Sequence, residues 1–241
     1  MAGKARIAGR IVTPVALRAA PGLASGFVRQ AFDRAVDGTG PLRGAAAAAD
    51  RRLEERDGDV KAAIGSLVDS HVKLAGVQGF VTNLGGFVAM TVTVPANVSG
   101  LALLQCHMVG GIAHLRGYDL ADPRVRNAVM ACMLGRDSVR RLVKKGTLPS
   151  SPMTIATAPA YDPSLDERIS SEVAAELIAR VAGKRGAAAL AKRMPVLGGG
   201  IGAVTDGLIT FQVGQYAAKE LRSRRPVDAS AAARRPPTAA R

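Results

Sequence analysis

The sequence predicts an all-α protein: a single helical bundle with two central apolar, glycine-rich helical segments and a disordered basic tail. Three observations lead there. Aromatic residues make up only 3% of the chain and Trp is absent, so the core must come from Ala, Val, Leu, Ile and the 27 glycines. Small residues let helices approach closely, whereas β-sandwiches usually draw on aromatic and β-branched strands. Apolar residues recur at helical spacing in several segments. Finally, two long stretches are almost free of charge: residues 74–115 contain no Asp, Glu, Lys or Arg, and residues 194–218 contain only Asp206.

The elements follow in order. In "ASGFVRQAFDRAV" Phe27, Ala31, Phe32 and Ala35 share one side of a helix. "GTGPLRG" breaks the chain near residues 38–44. "AAAAADRRLEERDGDVKAAIGSLVDSHVKLAG" is strongly helix-forming with a break at Asp57-Gly58. Beyond that break Val60, Ile64, Val68, Val72 and Leu74 suggest an amphipathic helix. The apolar run that follows is divided by Gly85-Gly86 and by Pro95, with Asn97 and Ser99 as caps for a helix starting near Pro95. A strand over "FVAMTVTV" is the alternative, because Thr91 to Val94 are β-branched. Helix is preferred by context. Neither half offers about 20 clean apolar residues for a single span, so together they form a helical hairpin that is buried or dips into lipid.

Asp122 as N-cap with Pro123 at the first position opens the next helix. "DSVRRLVKKG" is a short basic helix ending at Gly146, and "TLPSSPMTIATAPAYDPS" reads as a loop. A third helical block starts near Leu165, and the apolar segment "PVLGGGIGAVTDGLITFQVGQYAAKELRSRR" closes the domain. The expected organisation is a basic N-terminal segment over 1–23, a helical domain over 24–223, and a disordered basic tail over 224–241.

Chemistry-bearing patterns are few. "GGGIGA", from Gly198, fits GxGxxA, but fewer than 40 residues remain after it, too few for a βαβ unit. Helix packing is the better reading, with Gly198, Gly199 and Gly202 as small residues on adjacent rows, as Gly85 and Gly86 are in the first apolar segment. Asp206 is a lone acid on a helix expected to be buried, and a buried carboxylate needs a partner. His107 and His114 sit on another such helix, so these three residues are the candidates for a buried polar site. Seven residues apart on a straight helix places the two histidines about 10 Å apart along the axis, too far to share one metal. No metal, cofactor or catalytic set is expected: GxSxG, P-loop and HExxH motifs are absent, and nothing supports an enzyme.

The formal charge is +14, and no acid precedes Asp33. That balance favours an anionic partner, although arginine-rich composition is also a common product of GC-rich genomes. Nucleic acid is disfavoured, since only eight Phe and Tyr are available for stacking and no helix-turn-helix signature is present. Two cysteines, Cys106 and Cys132, are too few for a disulfide scaffold, so reduced thiols in the cytoplasm are expected. The apolar run Ile11 to Leu17 is cut by Arg18 and does not read as a signal peptide.

Several of these residues together resemble the EcsC family of bacterial proteins. They are Gly85-Gly86 in an apolar segment, Pro95, the helix end "IAHLRGYDLADP" over residues 112–123, and the late helix opening "PVLGGGIGAVTD". The resemblance covers roughly residues 45–223 and rests on short, glycine-based motifs, among them the helix end at Gly117, Tyr118 and Asp119. Two positions depart from the pattern: Arg116 stands where an aromatic is expected, and Asp206 where Asn is frequent. No established catalytic activity attaches to the family, whose name comes from an operon that also encodes an ABC transporter. The resemblance implies a helical fold and a membrane connection. The expected protein is cytoplasmic and amphitropic, held at the inner membrane by anionic lipid, or else a module docking on a transporter or another protein.

Overall fold

The computed structural model describes residues 21–39, 42–84, 90–190 and 195–224. Among these, nine helices and one two-residue ribbon account for the architecture, which is all-α. Helix α1 (Pro21–Asp37) leads into the ribbon β1 (Gly38–Thr39) and β2 (Leu42–Arg43), whose strands pair antiparallel. Then follow α2 (Ala45–Glu54), α3 (Val60–Leu84), α4 (Met90–Leu115), α5 (Pro123–Met133), α6 (Arg136–Lys144), α7 (Pro152–Ala156), α8 (Pro163–Leu190) and α9 (Pro195–Glu220). The expected N-terminal segment and basic tail lie almost wholly outside the described residues.

Local chemistry sets most boundaries. The break at Asp57-Gly58 is a left-handed turn, φ +53° and +81°, after which the Asp59 carboxylate accepts from the backbone N–H groups of Lys61 and Ala62 and starts α3. The Asp122 side chain accepts from the Arg124 N–H ahead of Pro123, the arrangement expected for α5. Gly146, φ +74°, ends the basic helix α6, with Thr147 N–H bonded back to Leu142 O.

Three expectations are corrected. Helix α4 begins at Met90, so Pro95 lies inside it rather than at its start. Proline has a helix-compatible φ and forfeits one backbone bond, a cost that a 26-residue helix can absorb. The loop between residues 147 and 164 contains the short helix α7, opened by Pro152 at its first position. Leu74 is off the core face of α3 because it follows Val72 by two residues, about 200° round the helix. The strand alternative at Thr91 to Val94 gives way to helix.

The core runs through the middle of the bundle. Phe32 and Ala35 of α1, Leu67 and Val68 of α3, Met108 and Ile112 of α4, Met130 of α5 and Ile169 of α8 are all buried in one cluster. Helix α3 runs antiparallel to both α4 and α9. Leu67 faces Gly111 and Gln78 faces Gly100, while Val72 and Val68 meet Gly207 and Gly214. At Gly214 a Cβ would lie 2.9 and 3.0 Å from the Val68 methyls and 3.2 Å from Met108 Sδ. A glycine there lets three helices converge, which a core with so few aromatics requires.

Candidate functional site

Helix α3 turns Ile64, Leu67, Val68, His71 and Ala75 inward, so His71 occupies a core position. Its partner comes from α4: His71 Nε2 lies 2.9 Å from His107 Nδ1, with the ring centroids 5.1 Å apart and the ring planes 28° from parallel. The outer nitrogens meet carbonyl oxygens, His71 Nδ1 at 2.7 Å from Leu67 O and His107 Nε2 at 2.9 Å from Arg43 O. Four residues from α3, α4 and β2 thus form one line of contacts. Burial holds both rings below the ordinary histidine range, His71 down to about 4.

His114, two turns further along α4, meets the Asp50 carboxylate of α2 at 2.7 Å, in a half-exposed position. Both ring nitrogens of His107 are committed elsewhere, so the two histidines serve different contacts. Asp206 is only 2% exposed and lies on α9. Because α4 and α9 both run antiparallel to α3, they are parallel to each other, with Met108 against Gly214. That register places Gln105 level with Thr210, one turn from Asp206. Gln105 and Thr210 are fully buried, and the Gln105 amide and Thr210 Oγ1 find no hydrogen-bond partner among the described residues. The sequence-selected trio therefore divides between two places: the histidines on the side of α2 and β2, and Asp206 on the helix beyond α3.

The helix end at Gly117, Tyr118 and Asp119 has a structural task. Gly117 takes φ +85°, Tyr118 N–H donates to Ala113 O, and Gly117 N–H donates to His114 O, closing α4 with paired return bonds. Tyr118 is buried, and Asp119 accepts from Ala121 N–H in the following turn. Arg116 donates to Ala218 O, while Arg224 N–H donates to Arg116 O and its guanidinium lies 5.9 Å from the Tyr118 ring centroid. The motif thereby fastens the end of α9 to the end of α4.

Gly85 and Gly86 lie outside the described residues. Gly198, Gly199 and Gly202 fall in the first turns of α9, so the GxGxxA run is helical from Pro195 onward and is not a strand-to-helix turn. Cys106 and Cys132 are buried, and burial pushes both thiols well above their ordinary range, which makes them poor nucleophiles. Among the described residues no group of three or more His, Cys, Asp and Glu could hold a metal. A cleft of about 110 Å³ lies between α5, α7 and the start of α8, with Asn127, Ile155 and Tyr161 in its lining.

One surface feature stands apart. Among the described residues the exposed large apolar side chains, Tyr161 aside, are Leu74 (54% exposed) and Val77 (63%) on α3 and Val204 (69%), Leu208 (56%) and Phe211 (42%) on α9. The register of α3 against α9 gathers them within about three turns of the antiparallel pair. Sequence reasoning missed both the His71 pairing and this surface. His71 fell on the apolar row of α3 and could have been noticed there, but its partner is 36 residues away.

A model of the EcsC protein family matches residues 34–225. No curated protein and no solved structure matches the chain.

Proposed function

Since the chain belongs to the EcsC protein family, we propose that it is a non-enzymatic, peripherally membrane-associated helical protein that meets the lipid interface with the α3–α9 pair. The exposed apolar surface carries this reading. Groups of exposed large apolar side chains on a protein surface often mark a contact site. Val204, Leu208 and Phe211 flank the side of α9 next to α3, whereas Leu74 and Val77 lie about 140–200° round α3 from Val72, which meets α9. Apolar surface thus wraps two sides of one helix pair. An interfacial segment lays such apolar side chains into the headgroup–acyl boundary and keeps its charged face in water.

Each of these side chains, between 42% and 69% exposed, offers on the order of 1 kcal/mol when it leaves water. Basic charge adds to this: residues 219–241 carry seven basic and two acidic groups, and each Lys or Arg near an anionic surface contributes about 1 kcal/mol. Among the described residues no helix is long and apolar enough to cross a membrane, which favours association with one leaflet.

Co-sedimentation of the full chain with phosphatidylcholine vesicles, with and without phosphatidylglycerol, tests the proposal. Binding to the anionic vesicles that weakens in high salt is expected. Failure to bind any vesicle would sink it. Binding to native membranes alone would point to a protein partner there, a transporter among the candidates.

A further inference from the structure

We propose that the His71–His107 pair is a site that binds one proton, shared between the two rings. The inference comes from counting hydrogens along the line of contacts. Leu67 O and Arg43 O can only accept, so the nitrogens facing them, His71 Nδ1 and His107 Nε2, must both carry hydrogen. A neutral imidazole has a single N–H. With both rings neutral and both carbonyls satisfied, the two inner nitrogens are bare and oppose their lone pairs at 2.9 Å.

Exchanging the tautomer of His71 does not help. It would supply the central hydrogen but leave a bare Nδ1 2.7 Å from Leu67 O, which also accepts the Ser70 hydroxyl. Three contacts need three hydrogens, and two neutral rings bring two. One added proton completes the line as Nε2–H···Nδ1, a charge-assisted hydrogen bond of ordinary length. A second would set two N–H groups against each other. The capacity is therefore one proton, and that proton belongs to the pair rather than to either ring. A metal ion is a poorer occupant, because two nitrogens about 2 Å from one ion would have to stand well over 3 Å apart.

The surroundings oppose the charge without forbidding it. Arg52 of α2 is the charged side chain that acts on His71. Of the acids on neighbouring helices, Asp50 is engaged by His114, Asp33 on α1 pairs with Arg126, and Asp206 lies on α9 beyond Val72. Lys73 and Asp69 on α3 are exposed. Among the described residues no carboxylate touches either ring, so uptake belongs below neutrality, between the ordinary histidine value near 6.5 and about 4. The consequence is mechanical. The shared proton ties α3, one turn before Leu74, to α4 and through Arg43 to the ribbon between α1 and α2. This site is independent of the membrane reading.

The test is a titration of the full-length, isotope-labelled protein followed by the imidazole NMR signals, with His114 identified by His114→Gln. At neutral pH His71 is expected as the Nδ1–H tautomer and His107 as the Nε2–H tautomer. On acidification both signals should move together with one shared midpoint and a total uptake of one proton. His107→Gln offers an amide N–H in place of the missing hydrogen, and His71 should then stay neutral over the same range. Separate midpoints with one proton on each ring of the folded protein would overturn the proposal, as would two rings that stay neutral until the protein unfolds. If His107→Gln does not fold, the wild-type tautomers and midpoints decide alone.

Discussion

Helix α3 is apolar along both halves, and the two halves do opposite things. From Ala63 to Val68 its Ala, Ile, Leu and Val side chains disappear into α2, α4 and α9; further along, Ala75 is still buried but Leu74 and Val77 stand more than half in water. Helix α9 repeats the contrast, with Val213 and Ala217 buried and Val204 and Leu208 exposed. The transfer free energy per unit area is the same in both halves, so what differs is when it is realised. In the inner half it is realised on folding. In the outer half it is left available for contact with something else, and substitutions should separate stability from binding accordingly.

The largest effect belongs to the core. Phe32→Ala removes a fully buried ring that stacks under the Arg126 guanidinium, and it should cost about 3–5 kcal/mol in a denaturant titration. Acidification comes next. Burial depresses both His71 and His107, so the unfolded chain takes up protons before the folded one as pH falls. The stabilising contribution is full above about 6.5 and is lost as pH falls towards about 4; the decline continues below that, because the folded pair takes up one proton where the unfolded chain takes up two. Each unit of depression corresponds to about 1.4 kcal/mol, and thermal melts across this range should show the decline. A His71→Leu variant should flatten it.

Gly214→Ala tests the convergence of α3, α4 and α9. The added methyl meets Val68 at 2.9 Å and should cost about 1–3 kcal/mol by pushing α9 outward. Asp122→Ala should cost about 1 kcal/mol by leaving the first N–H groups of α5 uncapped, without changing the packing elsewhere. An unchanged melting temperature for either variant would mean that the helix ends move more freely than these contacts imply.

Features set by short-range chemistry were legible in the sequence. The Asp122-Pro123 start, the break at Asp57-Gly58 and the stops at Gly117 and Gly146 are each decided within a few residues by a cap or a positive φ. Helix α7 was missed because five residues leave no periodicity to detect. Pro95 misled because proline marks a helix start by statistics, whereas a long helix can contain one. The buried pair was harder to see, since nothing local says that His71 will find His107 rather than a backbone group. The two halves of α3 could not be told apart, because hydrophobic periodicity records which side chains avoid water and not what they will meet. Only the packing of α4 and α9 around Val68 and Val72 separates core from surface.

The last prediction acts on that separation directly. Val77→Ser with Leu208→Ser changes two side chains that the fold leaves mostly exposed, so the stability of the double variant should stay within about 0.5 kcal/mol per site of the parent. If the outer surface meets lipid, the same changes remove on the order of 1 kcal/mol of apolar transfer each. A combined loss of about 2 kcal/mol corresponds to roughly 30-fold weaker binding to anionic vesicles, measured at fixed salt. Loss of binding with stability retained would assign the outer halves of α3 and α9 to contact rather than to the core. Equal binding by parent and variant would leave the basic residues as the sole source of attraction. A large loss of stability would instead mean that the outer half folds against itself as the inner half does, erasing the difference between them.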